Sequence, residues 1–427
     1  MTLEVRVTID NGRGRQRLRF ASLVATIAAG LVLIPVLPAV ADWTRDREYW
    51  LTDYGFTSAW ASTTGDGVLV SVIDSGIADV PELAGAVVGG ADFSGQGSAD
   101  GRTPVGPSPN HGTLVASVLA ARGEGDGDGM IGTAPGAQLL SASISIDPDA
   151  PVPFDDQIPQ AVRWSVDQGA TVINMSITRG SLSWPESWDD AFLYAAEHNV
   201  VIVAASGNRA QGTDEVGAPA TIPGVLTVAG VDRQGEASQQ ASTQGITIGV
   251  AAPAEELIGV NARGSVVSWA GSSGASPIVA GLVALVRAAH PELDAANVIN
   301  RVTSTATATG DPAIYGHGLI NADAAVNADV APVVKNPLGD LAEWITMYRR
   351  APSTSTPMTT MTSTPLPLPT SGRPFASVSQ YELTQAVVPS MFLLGFGILI
   401  TLGSITVARR LFPRRTPPAD DELPPSN

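Results

Sequence analysis

The chain has 427 residues and a formal charge of −17, which argues against a nucleic-acid partner, because that would need a basic footprint. It contains no cysteine, so disulfides, zinc–thiolate sites, iron–sulfur clusters and cysteine nucleophiles are excluded. With 44% hydrophobic and 15% charged residues, it is not a globally disordered chain.

Arg13, Arg15, Arg17 and Arg19 precede an apolar run over 20–41 that ends Ala39-Val40-Ala41. Basic residues, an apolar stretch and a small-x-small ending predict an export signal over 1–41, cleaved after Ala41. The run is also long enough to remain as an anchor. Residues 42–327 read as one globular domain. Apolar, β-branched runs at 68–73, 171–175, 199–204 and 225–231 alternate with helical patterns at 113–121, 158–168, 188–198 and 276–289. This alternation predicts an α/β fold with a central, mostly parallel sheet covered on both faces. Residues 328–385 read as a linker, and within it 352–374 is dominated by Ser, Thr and Pro. Such a segment cannot bury enough apolar surface to offset its ordering entropy, so it reads as an extended stalk. The uncharged apolar stretch 386–408 is followed by Arg409, Arg410, Arg414 and Arg415. It predicts a transmembrane helix with a cytoplasmic tail over 409–427 and the body of the protein outside the membrane.

In a parallel sheet, functional groups gather at the carboxyl ends of strands. The run at 68–73 delivers Asp74 there, followed by Ser75-Gly76. Alone, Asp74 fits a turn or a helix cap equally well. His111, in Asn110-His111-Gly112-Thr113, stands between a Pro/Gly-rich loop and an apolar helix. Of the other histidines, His198 and His290 close helices, and His317 lies between two glycines as a turn residue. Asn208 leaves a buried strand through Gly207 and is either a turn asparagine or an amide donor aimed at an oxyanion. Ser273, in Gly271-Ser272-Ser273-Gly274-Ala275-Ser276-Pro277, stands at a helix entrance. It is either a cap or a nucleophile with small neighbours that admit a substrate backbone. The chain order Asp, His, Ser is that of subtilisin and differs from chymotrypsin and the α/β-hydrolases.

The segments VSVIDSGI, NHGTLVAS, VVIVAASGN and GSSGASPIVAG resemble the signature blocks of subtilisin-like serine proteases over roughly residues 49–326. Within that family the layout of signal, single catalytic domain, Pro-rich linker and C-terminal span resembles the mycosins, membrane-anchored proteases of type VII secretion. Residues 297–302 and 316–321 are also similar to theirs. The resemblance implies a subtilisin-like three-layer domain acting by acyl transfer on a protein or peptide substrate. Ser273 would attack the carbonyl, His111 would carry its proton, Asp74 would hold the imidazole, and Asn208 would stabilise the oxyanion. It further implies that Ser176, Ile177 and Thr178 pair with extended substrate. Ala205, Ser206 and Gly207 would form the other wall of the primary pocket, with Gly217 near its floor.

Three features depart from the family pattern. Gly274 stands where a larger residue is usual, and its freedom would loosen the nucleophile's turn. Ser272 stands where Thr is common. Thr178 and Arg179 stand where many relatives have two glycines, which predicts a narrower groove, with added positive charge if Arg179 points inward. No cofactor is implied. Relatives often bind structural calcium, and the acidic, glycine-rich loop over 123–129 suits a hard cation; without EF-hand spacing it reads as a solvated loop. The expected partners are substrate, membrane and the membrane proteins of a secretion complex, with no nucleic acid. The competing readings are a structural or binding component of such a complex, and an anchored subtilase unrelated to secretion.

Overall fold

The computed structural model describes residues 43–124, 128–212 and 214–349. The predicted export signal, the stalk over 352–374, the membrane span and the tail lie outside these residues. The predicted apolar runs form strands β1 (Leu69–Asp74), β6 (Val172–Met175), β7 (Val201–Ala205) and β8 (Leu226–Val231). Tertiary pairing adds β2 (Val87–Asp92), β5 (Gln138–Ser143) and β9 (Ile248–Pro253) in a seven-stranded sheet ordered β2-β5-β1-β6-β7-β8-β9. Each pairing in this sheet is parallel. Two antiparallel hairpins stand apart from it, β3 (Arg122–Glu124) with β4 (Asp128–Ile131), and β10 (Leu257–Val260) with β11 (Val266–Trp269).

Alternate side chains of a strand point to opposite faces, and β1 shows both layers. Val70 and Val72 enter the main apolar core with Val115, Val118, Ile278, Val279 and Leu282. These come from the helices His111–Ala120 and Ser272–Ala289. On the opposite face, the Ser71 hydroxyl meets that of Ser165, in the helix Phe154–Asp167, at 2.7 Å. That helix packs beside Glu186–Glu197. The outcome is the three-layer α/β arrangement expected from the alternation of runs.

Ser272–Ala289 is long and apolar enough to cross a membrane, but 89% of it is buried inside the protein, where it is the central helix of the core. The short helices between Trp43 and Ala59 bury Trp50 and Phe56 completely. The folded chain also continues past the boundary expected at 327. The helix Leu341–Tyr348, capped by the Asp340 carboxylate, packs Trp344 on Trp184 with ring centroids 4.5 Å apart. Arg349 then pairs with Asp189 at 3.0 Å. Residues 328–349 therefore contribute to the domain, because their aromatic side chains find partners that no local pattern announces.

Candidate active site

Three adjacent strands deliver the candidate residues to one edge of the sheet. β1 ends on Asp74, β6 runs into Ser176, and β7 runs into Ser206, Gly207 and Asn208. Asp74 is buried, with 2% of its surface exposed. Its carboxylate accepts from the Ser75 backbone N–H at 2.7 Å and faces His111 Nδ1 at 2.8 and 2.9 Å through its two oxygens. His111 is the first residue of its helix. Gly76 turns the chain beside Asp74 at φ +95°, as the sequence requires.

The helix is fixed to that turn by the Gly112 N–H, which donates to Ser75 Oγ at 2.9 Å, and by Thr113 Oγ1, which accepts the Ala78 N–H at 3.0 Å. A Cβ at Gly112 would overlap the Gly76 carbonyl. Gly112→Ala is therefore expected to push His111 away from Asp74. It should cost about 1–3 kcal/mol of stability and slow labelling by a fluorophosphonate at least ~10-fold, read by thermal melting and labelling kinetics.

Burial opposes a charged His111, but the charge of Asp74 and its hydrogen bond outweigh burial, and the imidazole pKa is raised above the ordinary histidine value. Trp269 packs edge-to-face on the imidazole, with ring centroids 6.0 Å apart and planes at 86°.

Ser273 is the second residue of Ser272–Ala289, so it stands inside the helix entrance rather than ahead of it. Pro277 lacks the N–H that would bond the Ser273 carbonyl four residues back. That carbonyl instead accepts from Ser176 Oγ at 2.9 Å. Reciprocally, Ser273 Oγ donates to the Ser176 carbonyl at 3.2 Å. The hydroxyl is thus bonded to Ser176 rather than to His111; serine–histidine contacts are commonly long before substrate binds.

Asn208 is anchored by its amide oxygen, which accepts the Ser272 N–H at 2.8 Å and lies 3.0 Å from Ser272 Oγ. Ser272 is fully buried and also accepts the Gly207 N–H at 3.1 Å. Fixing the oxygen sets the direction of the amide nitrogen, which donates to Gln211 Oε1 at 3.3 Å.

All four candidates line one open cleft of about 710 Å³, with Ser176, Ile177, Thr178, Ala205 and Gly207. The Ser206 side chain is fully buried and is not among the residues lining this cleft, and Gly217 is buried with the Thr178 hydroxyl against it. Arg179 adds no free charge to the cleft. Its guanidinium pairs with Asp155 at 2.8 Å and lies over Trp188.

Nor does Gly274 loosen its turn. It is helical, and a Cβ there would overlap Leu257 and approach the Trp269 ring at 3.3 Å. Residues from the β10–β11 hairpin fill the space that a larger side chain would take. Ser75, Gln211, Trp269 and the role of Pro277 were missed from sequence. Only Pro277, four residues after Ser273, carried a local signal. Among the described residues, no group of three or more His, Asp or Glu is placed to hold a metal; residues 125–127 of the acidic loop lie outside them.

Residues 65–318 match the subtilase family. The chain belongs to that family. It is a subtilisin-like serine endopeptidase, similar to Mycosin-4 of Mycobacterium tuberculosis at 34% identity over 319 residues, 64% of this chain and 68% of the relative. A thermostable alkaline protease of Halalkalibacterium halodurans is 33% identical over 258 residues, covering 60% of this chain and 67% of that one. The crystal structure of MycP1 from the ESX-1 type VII secretion system superimposes with a TM-score of 0.60 at 27% identity, covering 68% of this subtilase and 88% of MycP1.

Proposed function

We propose that this subtilase is a membrane-anchored, extracytoplasmic endopeptidase that works with a type VII secretion system through an Asp74–His111–Ser273 triad. The carrying observation is the Asp74 carboxylate closing on His111 Nδ1 at 2.8 and 2.9 Å, with Ser273 and Asn208 in the same cleft. That bond leaves Nε2 as the basic nitrogen of neutral His111. Docked substrate displaces the Ser273–Ser176 bond, and the hydroxyl turns onto His111. Ser273 Oγ attacks the peptide carbonyl while Nε2 takes its proton. Asp74 stabilises the imidazolium, and the proton passes to the leaving amine. The Asn208 amide and the Ser273 N–H hold the oxyanion, and water then hydrolyses the acyl-enzyme. Ser176, Ile177 and Thr178 present the edge on which extended substrate would pair.

The anchoring and secretion role are supported by the apolar stretch 386–408 with its following arginines and by similarity to Mycosin-4 and MycP1. The test is a membrane-impermeant fluorophosphonate applied to intact cells. Labelling is expected without lysis, and labelling only after lysis would overturn the topology. Asn208→Ala is expected to lower kcat by roughly 10²–10³ with a smaller change in KM, measured on a cleaved peptide.

A further inference from the structure

On the proteolytic reading, the primary pocket lies between the segments that leave β6 and β7, Ser176 to Thr178 and Ala205 to Gly207, which line the cleft through all but Ser206. Gly217 is buried and contributes nothing to the open cleft, whereas Thr178 lines it. The reason is steric: the Thr178 hydroxyl sits over Gly217, where a Cβ on the glycine would overlap it. Thr178 is held there. Its Oγ1 accepts the Gly180 N–H at 3.2 Å. The backbone on either side is joined to the glycine's segment, with the Arg179 N–H donating to Ala218 O at 2.9 Å and the Ala218 N–H donating to Ser181 O at 2.8 Å. Arg179 faces away into Asp155, so the next residue offers no alternative wall. Ala205, 2% exposed, also lines the cleft.

We propose that Thr178 closes the primary specificity pocket, so that the enzyme selects peptides whose residue on the acyl side of the scissile bond carries a side chain no larger than that of alanine or serine. The inference rests on the proteolytic reading above and names the substrate class of that same site. Thr178 is β-branched, tied to the Gly180 N–H and seated against Gly217, so its side chain resists displacement. A long substrate side chain would have to displace it, and even one methylene too many in a closed pocket costs about 10-fold or more in kcat/KM.

The experiment uses the full chain and a set of fluorogenic peptides identical except for Ala, Leu or Phe at that residue, with rates normalised to the fluorophosphonate-labelled fraction. Wild type is expected to favour Ala over Phe by at least ~10-fold in kcat/KM. Thr178→Gly is expected to reduce that ratio by at least ~10-fold. Thr178→Ser, which keeps the hydroxyl and removes the methyl, should fall between. An enzyme that labels but cuts the Phe peptide as well as the Ala peptide overturns the constriction and leaves the proteolytic reading standing. So does an unchanged ratio in labelled Thr178→Gly. An enzyme that neither labels nor cuts any peptide overturns both.

Discussion

Replacing Ser273 by alanine is expected to abolish fluorophosphonate labelling and lower kcat on a cleaved peptide by about 10⁶-fold, the scale of losing the serine in subtilisin itself. The variant removes one oxygen. In the resting structure that oxygen donates only to the Ser176 carbonyl at 3.2 Å, so the cost in stability should be about 1 kcal/mol. The backbone of the site is held independently of it, by Ser176 Oγ on the Ser273 carbonyl and by Ser272 on Asn208. Thermal melting should therefore change little while turnover disappears. Retained labelling at full strength would assign the nucleophile elsewhere. The same variant separates catalysis from scaffolding in cells. On the proposed role, cells lacking the protein and cells carrying Ser273→Ala are both expected to lose secretion, and normal secretion with the inert variant but not without the protein would point to a structural role.

The second large effect lies in Asp74→Asn, expected to lower kcat by about 10⁴-fold because the imidazole loses the partner that fixes its tautomer and stabilises its cation. It should also change the pH profile. In the wild type, burial disfavours the charged imidazole, but the Asp74 charge and hydrogen bond prevail and raise its pKa. The general base must be neutral, so kcat/KM should rise with pH through an apparent pKa above ~6.5. In Asp74→Asn that limb should move to lower pH. Stability runs the opposite way. A raised folded-state pKa means that the native protein binds more protons than the unfolded chain across this window. The contribution is fully present below the unfolded value near ~6.5 and is lost as pH rises through the higher folded value. Melting temperatures measured from acid to alkaline pH should thus fall more steeply in wild type than in Asp74→Asn. Parallel curves would show that Asp74 does not govern the protonation of His111.

Much of the layered fold was legible because its signals are local. The run 201–205, short, β-branched and buried at every position, reads as an interior strand, and its neighbours carry helical periodicity. The strands missed lack an unbroken β-branched run: β9 is buried throughout but reads Ile-Gly-Val-Ala-Ala-Pro, and β5 is interrupted by two serines. β2 is Val-Val-Gly-Gly-Ala-Asp, largely half-buried, and owes its place to pairing with β5. The helix Leu341–Tyr348 escaped for a related reason, since the ring that Trp344 packs on, Trp184, lies far away in the chain.

The sequence by itself determined the chemistry on offer: an aspartate ending a strand, a histidine and a serine each opening a helix, and no thiol to compete with them. Those facts follow from residue type and short-range pattern, which act over a turn or two of chain. Tertiary structure decided how the pieces meet. Sheet order placed β1, β6 and β7 side by side, and the missing N–H of Pro277 left the Ser273 carbonyl to Ser176. The β10–β11 hairpin filled the space at Gly274, Asp155 drew Arg179 away from the cleft, and Thr178 came to rest on Gly217. Each of these is a contact between residues distant in sequence, set by how helices and strands pack against one another, and no local pattern encodes it.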